Sequence, residues 1–272
     1  MSIKLIALDL DGTFLSNGMD VSQRNINAVK QAVSKGIHVV ICTGRAFGEI
    51  PKSVRNIKEI EYFITSNGAS VTNRYEKIVY SNPMPREISD IAIEKISRSE
   101  CMLDLYIDNK AYMQESQSLC LEKYGLTDKF YNMLINSRIK VEDIKKFYWE
   151  QNSNVEKINL FFADISYREK IIRSLSTLSP APNMTYSLKN NLEITSSTCN
   201  KGSGLESLCR ILNVDRSEVM AVGDSDNDLS MLKFAGYSFA MGNAPNYIKD
   251  AAVYVTGSYM DDGAALAIEW FI

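Results

Sequence analysis

The stretch that decides the fold is Ile3–Thr13, which reads Ile-Lys-Leu-Ile-Ala-Leu-Asp-Leu-Asp-Gly-Thr. Its apolar part has the length and composition of a buried strand. The strand ends in two carboxylates, Asp9 and Asp11, and Gly12 lets the chain turn sharply because glycine tolerates backbone angles that other residues avoid. Charge at the end of a buried strand is costly unless a ligand or metal compensates it. The stretch therefore predicts a strand that delivers two acids to a ligand site.

The chain continues with strands and helices in alternation. Two further buried strands are predicted at Ile37–Cys42 and Tyr62–Thr65, with a helix before the first that Ser22 caps and Gly36 ends. Alternation of this kind predicts an α/β fold with a doubly wound parallel sheet. Ligands bind beyond the carboxyl ends of the strands in such sheets.

The alternation is interrupted near Pro83 and Pro85 and resumes with a helical stripe from Leu205 to Leu212, which a buried strand at Val219–Val222 follows. Between these points, helical and strand-like runs follow one another without the regular alternation. We therefore predict a core domain split between residues 1–83 and 190–272, with an α+β cap domain inserted at residues 84–189.

A second pair of acids follows the late strand, because Val222 is followed by Gly223–Asp228, which contains Asp224 and Asp228. If both acid-bearing strands lie in one parallel sheet, their ends meet. Clustered carboxylates repel one another unless a cation joins them. Oxygen ligands without histidine or cysteine suit Mg²⁺, which also takes substrate phosphate. The sequence therefore predicts a magnesium site.

Two other segments predict an anion site. Thr43 and Gly44 end one strand and open a helix, so a hydroxyl and backbone N–H groups are expected to form an anion site. Lys201 opens another helix, where its ammonium group and the helix dipole reinforce each other. Asp9, Asp224 and a phosphate dianion together carry four negative charges, and a divalent cation with one lysine offsets three of them. This balance indicates phosphoryl transfer through an aspartyl-phosphate.

Seven motifs in this order resemble the haloacid dehalogenase superfamily of hydrolases, and within it the Cof-type phosphatases with a class IIB cap. The resemblance covers the whole predicted core. The motifs are Asp9–Thr13, Thr43–Arg45, Ser66–Ala69, Asn200–Gly202, Gly223–Asp228, Ala240–Ala244 and Asp262–Gly263.

The resemblance implies catalytic roles for residues of this chain. Asp9 would be the nucleophile, and Asp11 would be the general acid and base. Lys201 would neutralise the nucleophile and the transferring group. Phosphate oxygens would be held by the remaining groups, which are Thr43, Asn227 and the N–H groups of Leu10 and Gly44.

The resemblance also implies a metal site. Asp9 and Asp224 would bind Mg²⁺ through their carboxylates, and Asp11 through its backbone carbonyl. Asp228 would support the ion directly or through water.

Composition excludes several other classes of protein. The chain has 272 residues and a net charge of −3, with no basic block and no acidic tail. Nucleic acid and membrane are therefore not expected as partners. The resemblance implies a small phosphorylated metabolite as the partner. Five scattered cysteines without a C-x-x-C pair indicate a reduced, cytoplasmic chain. The oligomeric state is not readable.

Two other functions stay open at this point. A sugar phosphomutase would use the same Asp9 and Asp11, but would retain the phosphoryl group. A non-catalytic regulator that binds a phosphorylated metabolite would have no need of a positioned acid and base. His38, within an apolar strand, and Cys42, without a histidine partner, are interpreted as packing residues.

Overall fold

The computed structural model describes residues 3–16, 20–96, 99–126 and 128–272. The chain divides into two compact units. The first unit consists of Met1–Arg45, Ile50–Ser81 and Asn200–Ile272, and the second of Ala46–Glu49 and Asn82–Cys199. Each unit has its own sheet.

The first unit begins with alternating strands and helices. Helix α1 begins where the hydroxyl of Ser22 accepts a hydrogen bond of 3.1 Å from the N–H of Asn25. It ends before Gly36, whose φ of 80° confirms the predicted glycine stop. The elements in this part are β1 (Leu5–Leu8), α1 (Gln23–Ser34), β2 (His38–Cys42), α2 (Lys52–Arg55), β3 (Ile60–Thr65), β4 (Ser70–Asn73) and β5 (Ile78–Ser81).

The second unit contains mixed helices and strands, which are α3 (Arg86–Ile96), β6 (Cys101–Ile107), β7 (Lys110–Gln114), α4 (Glu115–Ser118), α5 (Asp128–Ser137), β8 (Arg138–Val141), α6 (Ile144–Glu150), β9 (Lys157–Phe162), α7 (Ser166–Leu175), β10 (Asn183–Thr185) and β11 (Asn191–Thr195). Within the described residues its strands form one sheet in the order β10-β11-β9-β6-β7-β8. One face of this sheet carries a hydrophobic core, and the other carries buried charged side chains.

The second unit reaches Cys199, ten residues beyond the predicted end of the insert at 189. The reason is β11, which pairs antiparallel with β9 and so belongs to the sheet of the second unit. The assignment of this unit as a cap remains a prediction.

The chain then returns to the first unit through α8 (Lys201–Leu212), β12 (Val219–Gly223), α9 (Leu229–Phe234), β13 (Tyr237–Ala240), α10 (Asn246–Ala251), β14 (Tyr254–Val255) and α11 (Gly263–Glu269). Eight strands of the described chain form the sheet of this unit, in the order β14-β13-β12-β1-β2-β3-β4-β5. The strands from β14 to β3 are parallel, and β4 and β5 add an antiparallel edge. The predicted α/β class is confirmed.

Strand β1 lies between β12 and β2, with Leu8 in register with both Val222 and Ile41. The first half of the unit extends the sheet to one side of β1, and the second half extends it to the other. The carboxyl ends of these neighbouring parallel strands therefore meet at a topological switch point. In the parts of the chain that the structure describes, no helix is long and apolar enough to cross a membrane.

Candidate active site

Lys201 lies at the centre of the candidate site. Its Nζ donates hydrogen bonds of 2.6 Å to Oδ1 of Asp9 and 2.6 Å to Oδ1 of Asp228. Asn200 caps α8 by accepting from the N–H of Ser203, so Lys201 occupies the first position of the helix, as predicted. Burial by itself would lower the pKa of Lys201, but the carboxylates of Asp228 and Asp9 hold that pKa well above its usual value. The ammonium group therefore stays charged.

Asp228 uses both of its oxygens within the loop that follows β12. Oδ1 accepts from Lys201, and Oδ2 accepts from the N–H groups of Asp224 and Ser225, both at 2.9 Å. Gly223 has no side chain to obstruct this turn, since a Cβ there would lie 2.6 Å from Cγ of Asp228. Asp228 thus orients the lysine and the loop that carries Asp224.

Asp9 and Asp224 each have one carboxylate oxygen that accepts no hydrogen bond from the described residues. These oxygens, Oδ2 of Asp9 and Oδ1 of Asp224, are buried. Buried polar atoms without a partner are rare and call for a ligand or ion. Carboxylate oxygens of Asp9, Asp224 and Asp228 lie within 4.8 Å of one another. This all-oxygen donor set fits a hard divalent cation such as Mg²⁺.

The electrostatics of these acids favour a bound cation. Burial raises the pKa of Asp9 above its ordinary value, and the neighbouring Asp228 raises it further. Burial also raises the pKa of Asp224, with the charge of Asp9 as the next cause. One lysine does not compensate three clustered carboxylates, of which Asp9 and Asp228 are buried, so a divalent cation would stabilise their ionised forms.

The loop after β1 holds Asp224 from a second side. Gly12 has a φ of 79°, and a Cβ there would lie 2.4 Å from Oδ2 of Asp224. Asn243 donates through Nδ2 to the carbonyl of Gly12 and to Oδ2 of Asp224, both at 3.0 Å. No role was predicted for Asn243, although it lies within the motif Ala240–Ala244.

Asp11 has a different partner from Asp9. Arg45 donates from Nε to Oδ2 of Asp11 at 2.8 Å and from Nη2 to Oδ1 at 2.6 Å. The Arg45 side chain is 8% exposed and that of Asp11 is 50% exposed, so Asp11 lies at the open side of the site. This bidentate contact was not predicted. The only indication of it in the sequence is that Arg45 directly follows Thr43 and Gly44.

The predicted phosphate-binding groups lie at the ends of neighbouring strands. Thr43 is buried after β2, and its Oγ1 accepts the N–H of Arg45 at 3.2 Å. Leu10 directly follows Asp9, and Gly44 directly follows Thr43. Their contact with phosphate stays a prediction.

Asn227 is buried and already engaged within the protein. Its Nδ2 donates to Oδ1 of Asn67 at 3.1 Å, and its Oδ1 accepts from Oγ of Ser225 at 2.7 Å. Asn67, which follows β3 with a φ of 57°, is a second residue at this edge for which no role was predicted. The proposed contact of Asn227 with phosphate also stays a prediction.

The fold and the site together define an α/β protein with clustered acidic residues at the carboxyl edge of its parallel strands. A model of the haloacid dehalogenase-like hydrolase family matches residues 6–268, so the chain belongs to this family. It is 28% identical to a 5-amino-6-(5-phospho-D-ribitylamino)uracil phosphatase of Bacillus subtilis (strain 168), over 100% of this chain and 97% of that protein.

Solved structures agree with this assignment. The structure of a haloacid dehalogenase-like hydrolase from B. subtilis superposes with a TM-score of 0.87 at 26% identity, covering 99% of this chain and 100% of that chain. A sugar phosphatase of subclass IIB of the superfamily has the same fold, with a TM-score of 0.83 at 24% identity over 98% of both chains. The chain is accordingly an enzyme of the phosphatase type, as the motif order predicted.

Proposed function

We propose that the protein is a Mg²⁺-dependent phosphatase that hydrolyses small phosphorylated metabolites, sugar phosphates or similar esters, in the cytoplasm. The observation that carries the proposal is the pair of bare, buried oxygens on Asp9 and Asp224 beside the ammonium group of Lys201. The charges of these groups suit one divalent cation together with one phosphate.

Mg²⁺ would be held by Asp9 and Asp224, with the backbone carbonyl of Asp11 as a further ligand and Asp228 supporting them. Bound there, it would offset the negative charge that otherwise keeps a carboxylate and a phosphate dianion apart. Asp228 has both oxygens occupied by Lys201 and by backbone N–H groups, which favours an indirect role for it.

Two chemical steps follow from the residues of the chain. In the first, a carboxylate oxygen of Asp9 attacks phosphorus, the bond from phosphorus to the leaving oxygen breaks, and Asp11 gives that oxygen a proton. In the second, Asp11 takes a proton from water, the water oxygen attacks phosphorus, and the bond to Asp9 breaks to release phosphate. Lys201 stabilises the charge on the transferring group throughout.

Arg45 has a part in both steps. Both carboxyl oxygens of Asp11 accept hydrogen bonds from the guanidinium of Arg45. Arg45 therefore fixes the orientation in which Asp11 would act in each step.

The test is phosphate release from a panel of phosphorylated metabolites and p-nitrophenyl phosphate, with Mg²⁺ and with EDTA. The panel includes sugar phosphates and a phosphorylated ribityl compound, the kind of substrate for which the B. subtilis relative is named. We expect release that requires Mg²⁺ and falls at least about 10³-fold in Asp9→Asn. Asp226→Asn, in the same loop as Asp224 but outside the three-carboxylate group, serves as the matched control.

Release that is insensitive to EDTA, or that persists in Asp9→Asn, would contradict the proposal. An isomeric sugar phosphate formed without free phosphate would identify the phosphomutase instead. Tight binding of a phosphorylated metabolite without any turnover would identify the regulator.

A further inference from the structure

The chain passes from the first unit to the second between Arg45 and Ala46. The backbone of Arg45 is held in the first unit. Its N–H donates to Oγ1 of Thr43 at 3.2 Å, and its carbonyl accepts the N–H of Ser66 at 2.9 Å. The residue that holds Asp11 is therefore the last one before the crossing.

The next four residues are held in the second unit through Glu49. One carboxylate oxygen of Glu49 accepts the N–H of Ala46 at 2.7 Å, and the other accepts Nη1 of Arg138. Ala46 packs against Tyr106, which lies on β6. The side chain of Glu49 thus accepts hydrogen bonds both from the start of its own turn, at Ala46, and from Arg138 at the start of β8.

Arg138 is a rigid attachment point because its guanidinium is fully engaged in the second unit. Nε donates to Oδ2 of Asp104 at 3.1 Å, and Nη2 donates to the hydroxyl of Tyr106 at 2.9 Å. The side chains of Arg138 and Glu49 are each 2% exposed, and that of Asp104 is 0% exposed. Removing one partner of a buried ion pair leaves an uncompensated charge, so this contact resists breaking.

We propose that Glu49 is a positioning residue for the general acid and base. Anchored by Arg138, it fixes the first residue after Arg45, and so restrains the arginine that orients Asp11. The inference rests on the proposed function, because it concerns the proton that Asp11 donates to the leaving oxygen.

Two substrates that differ in their need for that proton separate this role from a purely structural one. Phenyl phosphate releases a strongly basic phenolate, whereas p-nitrophenyl phosphate releases a much weaker base of similar size. The first step alone determines kcat/KM for both if phosphoryl transfer to Asp9 is irreversible. The ratio of the two kcat/KM values therefore reports how well Asp11 is placed.

We would measure this ratio in the full-length protein with Mg²⁺, for wild type and Glu49→Gln. We expect kcat/KM to fall at least about tenfold for phenyl phosphate and at most about threefold for p-nitrophenyl phosphate. Asp90→Asn is the matched control, since it also removes a carboxylate that pairs within the second unit, with Arg86 and Tyr148. Its ratio should match that of wild type.

Arg138→Lys is the second variant, because it keeps the buried positive charge while losing the planar guanidinium contacts. Circular dichroism identifies which of the two variants folds. An equal fall for both substrates, or an unchanged ratio, in a folded variant would overturn the inference. Wild type without activity that depends on Asp9 would instead mean that the proposed function itself is wrong.

Discussion

Nζ of Lys201 lies 2.6 Å from Oδ1 of Asp9, although the two residues are 192 positions apart in the chain. Both groups are at most 5% exposed, so this charge pair is formed out of contact with bulk water. It joins the end of β1 to the start of α8, and Asp228 completes the arrangement through the second hydrogen bond of the same ammonium group.

Replacing Lys201 by methionine should abolish activity and lower stability. The uncharged side chain would leave Asp9 and Asp228 facing each other without a cation, which costs several kcal/mol for buried groups. We expect at least about a 10³-fold loss of kcat and a lower melting temperature in EDTA. Adding Asp228→Asn should restore part of the melting temperature but none of the activity. A single variant as stable as wild type would show that the pair does not compensate these charges.

Asp224→Asn should stabilise the metal-free protein and weaken its response to Mg²⁺. In EDTA the variant has one fewer carboxylate in the three-carboxylate group, so repulsion decreases. We expect a melting temperature about 2 °C or more above that of wild type in EDTA, and a smaller rise on adding Mg²⁺. Asp226→Asn should respond to Mg²⁺ as wild type does. Equal Mg²⁺ responses in wild type and Asp224→Asn would argue against a cation at Asp224.

Gly12→Ala and Gly36→Ala form a matched pair. Both glycines have a φ near 80°, but a Cβ at Gly12 would lie 2.4 Å from Asp224, whereas a Cβ at Gly36 would have nothing within 4 Å. Both variants should lose about 1 kcal/mol of unfolding free energy from the backbone alone. Only Gly12→Ala should also lose activity, by at least about 100-fold. Similar kcat values for the two variants would show that the close approach of Gly12 to Asp224 is not needed.

The stability of the second unit should depend on pH through Asp104. Burial raises the pKa of Asp104 from 3.8 to about 6, although Arg138 opposes the shift. The folded state then binds this proton more tightly than the unfolded state, so stability decreases as pH rises through this range. The unfolding free energy of wild type minus that of Asp104→Asn should fall by about 2 kcal/mol from pH 4 to pH 7. A constant or rising difference would mean that Arg138 outweighs burial.

The ends of the strands explain why the positions of several candidate site residues could be predicted. Asp9, Thr43 and Asp224 each follow an apolar run that forms a parallel strand, and such strands end at one edge of the sheet. Lys201 could be predicted because Asn200 is a recognisable helix cap. These inferences need only local patterns and one rule of topology.

The contacts between loops could not be predicted in the same way. Two such contacts are the hydrogen bonds of Arg45 to Asp11 and of Asn243 to Asp224. Both depend on loop conformations that the hydrophobic periodicity of the sequence does not predict. The order of strands in the second unit could not be predicted from the sequence either. Lys157 and Glu193 lie on strands that residue type alone would place half in water, yet they pair with each other and are buried.

The central claim is that Asp9 carries the phosphoryl group. The most direct test uses Asp11→Asn, which lacks the base for the second step, with p-nitrophenyl phosphate, whose leaving group needs little protonation. We predict one rapid equivalent of p-nitrophenolate per active protein in the presence of Mg²⁺. Acid quenching and peptide mass spectrometry should then find one phosphoryl group on Asp9. A burst without phosphate on Asp9, or steady turnover with no protein-bound phosphate at any time, would contradict the account.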